Sequence, residues 1–170
     1  MIIGKSFRTF ALVIPIAAVL ATGAAAAQKK YGATAKVEKN VDVAAMKSYK
    51  WTPGRPSTDR DIDGLIIAAV DHQLEGVGMK AATAGQPDVL ATYYSVTRTD
   101  VDIKAKPDEK GLRPEHTVGS LVVALLDPSS RKPLVQLRVD QPVDRNNMES
   151  SVNSLVTELF AVYPTKTAKK

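Results

Sequence analysis

The stretch Thr58-Asp59-Arg60-Asp61-Ile62-Asp63-Gly64-Leu65-Ile66-Ile67-Ala68-Ala69-Val70-Asp71-His72-Gln73-Leu74-Glu75-Gly76-Val77-Gly78, with the Val89-Leu90-Ala91-Thr92-Tyr93-Tyr94-Ser95-Val96 run beyond it, decides the fold. Ile62, Ile66, Ala69, Val70, Leu74 and Val77 recur at three- and four-residue steps, which predicts a helix over 60–77 with one apolar stripe that another element must cover. Thr58 or Asp59 can cap its start, Asp61 and Asp63 meet the positive end of its dipole, and Gly78 supplies the left-handed residue that ends it. The strand 89–96, entered through Gln86-Pro87-Asp88, is the natural cover.

Working outward, Tyr31, Ala33, Ala35 and Val37 alternate with polar Thr34, Lys36 and Glu38, the period of a strand with one buried face. Ser48 to Thr52 alternates again and stops at Pro53-Gly54. Trp51, the single tryptophan, reads as a core-edge aromatic packed under the first helix rather than as a ligand platform. Beyond Val96 the alternation continues to Ile103 with charge on one side. Lys104 to Glu115, rich in charge and interrupted by Pro107, Gly111 and Pro114, reads as a long solvated hairpin loop. Val118 to Leu126 is the most apolar run after the N-terminal segment and predicts a strand inside the sheet, closed by the turn Asp127-Pro128-Ser129-Ser130. Leu134 to Val139 returns beside it. A final helix starts at Asn146, with Glu149 placed for a capping box; Met148, Val152, Leu155, Val156, Leu159, Phe160 and Tyr163 form its stripe, and Pro164 stops it. The order β-β-α-β-β-β-α predicts an α+β two-layer sandwich: an antiparallel sheet of about five strands with both helices on one face.

Met1 to Ala27 has the parts of a secretory signal peptide: Lys5 and Arg8, an apolar run from Phe10 to Ala21, and a small-residue end, Ala24 to Ala27. Cleavage is expected after Ala27. Pro15 and Gly23 interrupt a run already short for a membrane span of about 20 apolar residues, so no stable anchor is expected after cleavage. The chain has no cysteine, hence no lipoprotein attachment residue and no disulfide. Cleavage leaves 143 residues (170 minus 27); the expected organisation is a signal peptide at 1–27, one domain at 28–164 and a disordered basic tail at 165–170. The formal charge of +5 becomes +3 once Lys5 and Arg8 leave. Acidic and basic residues mix in the loops without the aromatic-interleaved basic stripe of a nucleic-acid binder, and no nucleic-acid partner is expected.

Asp59-Arg60-Asp61-Ile62-Asp63-Gly64 matches the first half of a calcium loop, with carboxylates at alternate positions before a glycine. Position twelve, which must supply the bidentate carboxylate, is Val70. Asp59, Asp61 and Asp63 are therefore only weak metal candidates. His72 and His116 have no second His or Cys at zinc spacing. Ser95, Ser120, Ser129, Ser130, Ser150, Ser151 and Ser154 lie outside any Gly-x-Ser-x-Gly elbow, and Asp88 and Asp127 stand beside prolines where Asp caps turns. No catalytic residue and no cofactor is assigned.

Tyr49-Lys50-Trp51, the helix ending at Leu74 to Gly78, Pro87-Asp88-Val89-Leu90 with Tyr93, Gly119-Ser120-Leu121 through Asp127, and the close on Val162-Tyr163-Pro164 together resemble the bacterial envelope family known as domain of unknown function family 4136. The resemblance covers nearly all of the chain beyond the leader and implies no established activity or catalytic residues. Two features depart from it: the family's frequent lipidated Cys is absent, and Gln136 or a neighbour stands where many members carry a Trp. The expected function is that of an exported periplasmic or cell-envelope module, non-catalytic, binding another envelope protein or a small apolar ligand between sheet and helices. The alternatives are a hydrolase with a site assembled from scattered residues and a calcium-dependent module.

Overall fold

A computed structural model describes residues 31–164; the expected signal peptide and basic tail lie outside the described residues. The elements are β1 (Gly32–Val37), β2 (Ser48–Trp51), α1 (Arg60–Gly76), β3 (Lys80–Ala81), β4 (Val89–Val101), β5 (Glu115–Leu126), β6 (Pro133–Pro142) and α2 (Met148–Ala161), with one short 3-10 turn at Val43–Ala45. They form an α+β fold with a six-stranded sheet in the order β1-β6-β5-β4-β2-β3.

Two sequence expectations change here. The sheet has six strands rather than five, because Lys80–Ala81 is too short to show any alternation. It is also mixed rather than antiparallel. Strand β2 runs parallel to both β3 and β4, pairing Ser48 with Lys80 and Tyr49 with Val89. The cause is α1, which carries the chain back along the sheet, so the segments that follow it enter in the same direction as β2. The other pairs, β1 with β6, β6 with β5 and β5 with β4, are antiparallel.

Register puts Tyr49, Val89, Ala91, Tyr93, Leu121, Val123, Leu125, Val135, Leu137 and Val139 on one face. They share a single core with Ile66, Val70 and Leu74 of α1 and Val152, Leu155, Val156, Leu159 and Phe160 of α2, so both helices cover the same side of the sheet, as the two single-stripe helices require.

The ends of the helices are set by local chemistry. Asp59 caps α1, accepting from the Asp61 amide at 2.9 Å. At the other end the Met79 amide donates to Leu74 O and the Gly78 amide to Glu75 O, both at 2.9 Å, around Gly78 at φ +88°. This is a Schellman arrangement, and its hydrophobic partner is the buried Met79. The cap of α2 is Asn147, one residue beyond the expected Asn146, and it accepts from the Ser150 amide at 3.3 Å. Asp144 is the reason: its carboxylate takes the Asn146 amide at 2.9 Å and its carbonyl the Asn147 amide at 3.1 Å, which holds Asn146 in a turn before the helix.

Candidate functional site

Residues 60–76 are wound as helix through the half-calcium motif. Residues two apart on a helix point to different sides, and the three aspartates do different things. Asp59 is the cap, Asp61 is exposed in the first turn, and Asp63 accepts the hydroxyl of Tyr93. Among the described residues no group of three or more His, Cys, Asp or Glu side chains is gathered to hold a metal ion.

The helix is instead tied to the sheet by phenols and an indole. Tyr49 Oη and Trp51 Nε1 both donate to Asp71 Oδ1, at 2.7 and 2.8 Å. Trp51 stands edge-on between the rings of Tyr49 and Tyr93, with centroids 6.4 and 6.1 Å away. Burial, followed by the bond to Asp63, pushes the Tyr93 phenol up to about 12. Asp88 makes a comparable tie elsewhere: its carboxylate accepts from the Lys47 amide at 2.9 Å and from the Ser48 amide and hydroxyl at 2.8 and 2.9 Å, holding the start of β2 against the start of β4. Asp127 acts within its own turn, accepting from the amides of Ser129 and Ser130. These bonds lower both carboxyls below their usual range, that of the Lys47 amide leading for Asp88 and that of the Ser130 amide for Asp127.

On the sheet face turned away from the helices, strand register assembles a polar network that no local motif announces. The Tyr31 hydroxyl donates to Asp100 at 2.9 Å and lies 2.6 Å from His116 Nε2. Arg98 bonds Asp100 and Asp140, both at 3.1 Å, and the Ser120 hydroxyl at 2.7 Å; Arg138 Nε bonds Asp140 at 2.9 Å. Arg138, then Ser120 and Arg98, hold the Asp140 carboxyl down at about 2. The arrangement fails as a serine triad. Ser120 donates to Asp140 rather than to a histidine, and His116 stands four residues away on the same strand, about 13 Å at the usual rise. His72 is also far from this network, on the rim of a shallow groove between the helices beside Ala69, Glu149 and Val156.

A concave site lies where the N-terminal ends of both helices meet the sheet. A cleft of about 550 Å³ is lined by Arg55 and Thr58 before α1, Ile62 on it, Val96 and Thr97 of β4, Thr117 of β5, and Val143, Arg145 and Met148 around the start of α2. Ile62, Val96, Val143 and Met148 also line a narrower crevice of about 40 Å³ that reaches Leu121, Val152 and Leu155 beneath. Gly119 keeps that crevice open: a Cβ there would stand 2.9 Å from Val143 Cγ1 and 3.0 Å from Leu155 Cδ1. These lining residues form no sequence motif, because they are drawn from stretches far apart in the chain: Arg55 to Ile62, Ser95 to Thr97, Thr117, and Val143 to Met148.

The loop between β4 and β5 is the expected solvated excursion, exposed throughout except at half-buried Ala105. Asp102 and Asp108 fold it by accepting amides from Lys104, Ala105, Lys110 and Leu112. It also displays Ile103 and Leu112, which are 74% and 64% exposed.

No curated protein matches the chain. Solved structures that share its fold include two that cover most of the chain. One is a PDZ domain protein from Parabacteroides distasonis at TM-score 0.59 and 12% identity, covering 82% of this chain and 36% of that one, so the chain spans about a third of that protein's length. The other is a PelC dodecamer from Paraburkholderia phytofirmans at TM-score 0.51 and 11% identity, covering 81% of this chain and 99% of that one. At such identities the likeness is one of fold. Residues 33–165 match the family model described as a domain of unknown function, DUF4136, and this chain therefore belongs to that family.

Proposed function

We propose that this chain is an exported cell-envelope protein that acts as a non-catalytic binding module, holding a small apolar ligand in the cleft between the sheet and the starts of α1 and α2. The observation that carries this reading is the continuity of the roughly 550 Å³ cleft, polar at its rim, with the apolar crevice kept open at Gly119, a volume within the range of small-molecule sites. The polar cluster on the opposite face supports binding over catalysis, since its acids and arginines are engaged with one another. Among the described residues no helix is long and apolar enough to cross a membrane.

The test uses the neutral fluorescent probe N-phenyl-1-naphthylamine. Saturable binding to the protein that is lost in Thr97→Trp, which fills the cleft from an exposed position, is the expected result; binding indifferent to that change refutes it. Export is tested separately by mass spectrometry of the protein recovered from the periplasm of its host. A chain beginning at Gln28 is expected, and one retaining Met1 refutes the leader. A second reading, docking of another envelope protein, is favoured by exposed Ile103 and Leu112. In-cell crosslinking of the full chain and of a form lacking Ala105 to Pro114 tests it, an identical set of captured proteins removing the loop from consideration.

A further inference from the structure

The mouth of the cleft carries charge that its floor does not. Arg55 lies in the connection from β2 to α1, and Arg145 in the connection from β6 to α2. Their backbones are held in place. The Arg55 amide donates to Tyr93 O at 3.1 Å, its carbonyl accepts from the Ser95 amide at 3.3 Å, and the Arg145 turn is closed by the bonds of Asp144 to Asn146 and Asn147. Their side chains are exposed, and among the described residues neither makes an ion pair or a side-chain hydrogen bond. That separates them from Arg98 and Arg138, which are neutralised by Asp140 and, for Arg98, also by Asp100. The lining has one opposing charge, Asp59, and its carboxylate already accepts the α1 amides.

Two uncompensated guanidiniums over an apolar floor define a ligand with two ends. We infer that the cleft takes a single-chain amphiphile with a carboxylate head, Arg55 and Arg145 receiving the head and Ile62, Val143 and Met148 the hydrocarbon chain. The inference rests on the binding reading above and specifies its ligand. A carboxylate presents two coplanar oxygens to the planar donor fork of arginine, whereas a neutral alcohol leaves both arginines with water alone, and a quaternary ammonium is repelled. The hydroxyls of Ser57, Thr58 and Thr97 at the same rim supply further donors for the head.

Displacement of bound N-phenyl-1-naphthylamine by decanoate, decan-1-ol, decyltrimethylammonium and decyl phosphate, each below its aggregation limit, tests the inference on the full mature chain. Decanoate is expected to displace the probe at least tenfold more effectively than decan-1-ol and the ammonium. That advantage is expected to shrink in 0.5 M NaCl and to vanish in the double variant Arg55→Gln, Arg145→Gln. The salt series on the unaltered protein keeps the test valid should the variant fail to fold. Equal displacement by decanoate and decan-1-ol overturns the inference while leaving an apolar ligand in place. Tenfold better displacement by decyl phosphate than by decanoate overturns the carboxylate assignment. If the probe itself does not bind, both the inference and the binding reading fall.

Discussion

Replacing Asp71 with alanine should cost this fold about 3 kcal/mol, through an acceptor shared by two rings. Tyr49 is 1% exposed, and its hydroxyl is 2.7 Å from Asp71 Oδ1. Without the carboxylate that donor is left buried and unpaired, worth about 2 kcal/mol for a bond to a charged group. Trp51 is half-buried and 2.8 Å from the same oxygen; water can reach its indole N–H, so its share is smaller, about 1 kcal/mol. A loss of about 3 kcal/mol in a domain of this size lowers Tm by about 10 °C. Urea unfolding followed in parallel by far-UV circular dichroism and by tryptophan emission measures it. Trp51 is the chain's single tryptophan, so the emission also reports locally and should shift to the red in the folded variant. Asp71→Asn, which keeps an acceptor oxygen but loses the charge, should cost about 1 kcal/mol. In a double-mutant cycle, Tyr49→Phe should be coupled to Asp71→Ala by more than about 1 kcal/mol. An Asp71→Ala protein within about 0.5 kcal/mol of the parent, with unshifted emission, would show that the bonds are incidental and that apolar packing alone holds α1 on the sheet.

Three further outcomes follow from the geometry. Asp140, held at about 2 when folded against an ordinary 3.8, contributes stability that is present above pH 3.8 and lost as pH falls toward 2. Because its arginine partners are 41% and 58% exposed, screening trims this to about 1 kcal/mol, and roughly two thirds of that gap between the parent and Asp140→Asn should close between pH 6 and pH 2.5; an unchanged gap refutes the assignment. Gly54→Ala would place a Cβ 2.3 Å from Tyr93 O and 2.4 Å from Thr92 Oγ1; a cost of about 2 kcal/mol in chemical unfolding is expected, and a neutral result would mean the β2–α1 connection shifts freely. Deleting Ala105 to Pro114 and closing β4 onto β5 with a short turn should change unfolding free energy by less than about 0.5 kcal/mol, since the segment supplies no buried residue, and a larger loss would place the loop in the fold's support.

Most of the architecture could be read from periodicity. The stripes of α1 and α2 and the alternation of β4, β5 and β6 survive in the structure because each element is long enough for its buried face to repeat, whereas Val77 falls past the end of α1 and is exposed, and the edge strand β1 leaves Ala35 exposed. What escaped had no repeat to read. Lys80–Ala81 is two residues long, and Ser48–Trp51 shows which residues alternate but not whether its neighbour runs parallel. The shift of the α2 cap to Asn147 turned on a competing turn at Asp144, invisible when Asn146 and Glu149 have the right spacing. The site was harder still. Arg98 and Asp140 are 42 residues apart and meet across β5 only through the registers of β4 with β5 and β5 with β6. Arg55 and Arg145 reach one cleft because two connections end at the same rim. A calcium half-motif was legible too, and its spacing also suits the capped first turn of a helix, which is the conformation the segment takes.

The position of β1 has a consequence for when this molecule can become itself. Its register partners, Val135 to Asp140, are made roughly a hundred residues after Gly32 to Val37, while β4, β5 and β6 follow one another through hairpins. During synthesis the first strand must therefore wait, unpaired, until the last strand has been made. The hairpin meander assembles early as the low-contact-order part of the chain, and closure by β1 is a late, long-range event. A fragment ending near Ser130 has every residue of β1 and nothing for it to pair with. Loss of this C-terminal quarter should thus leave a chain with an open sheet edge and an uncovered apolar face, prone to association, rather than a smaller version of the same domain.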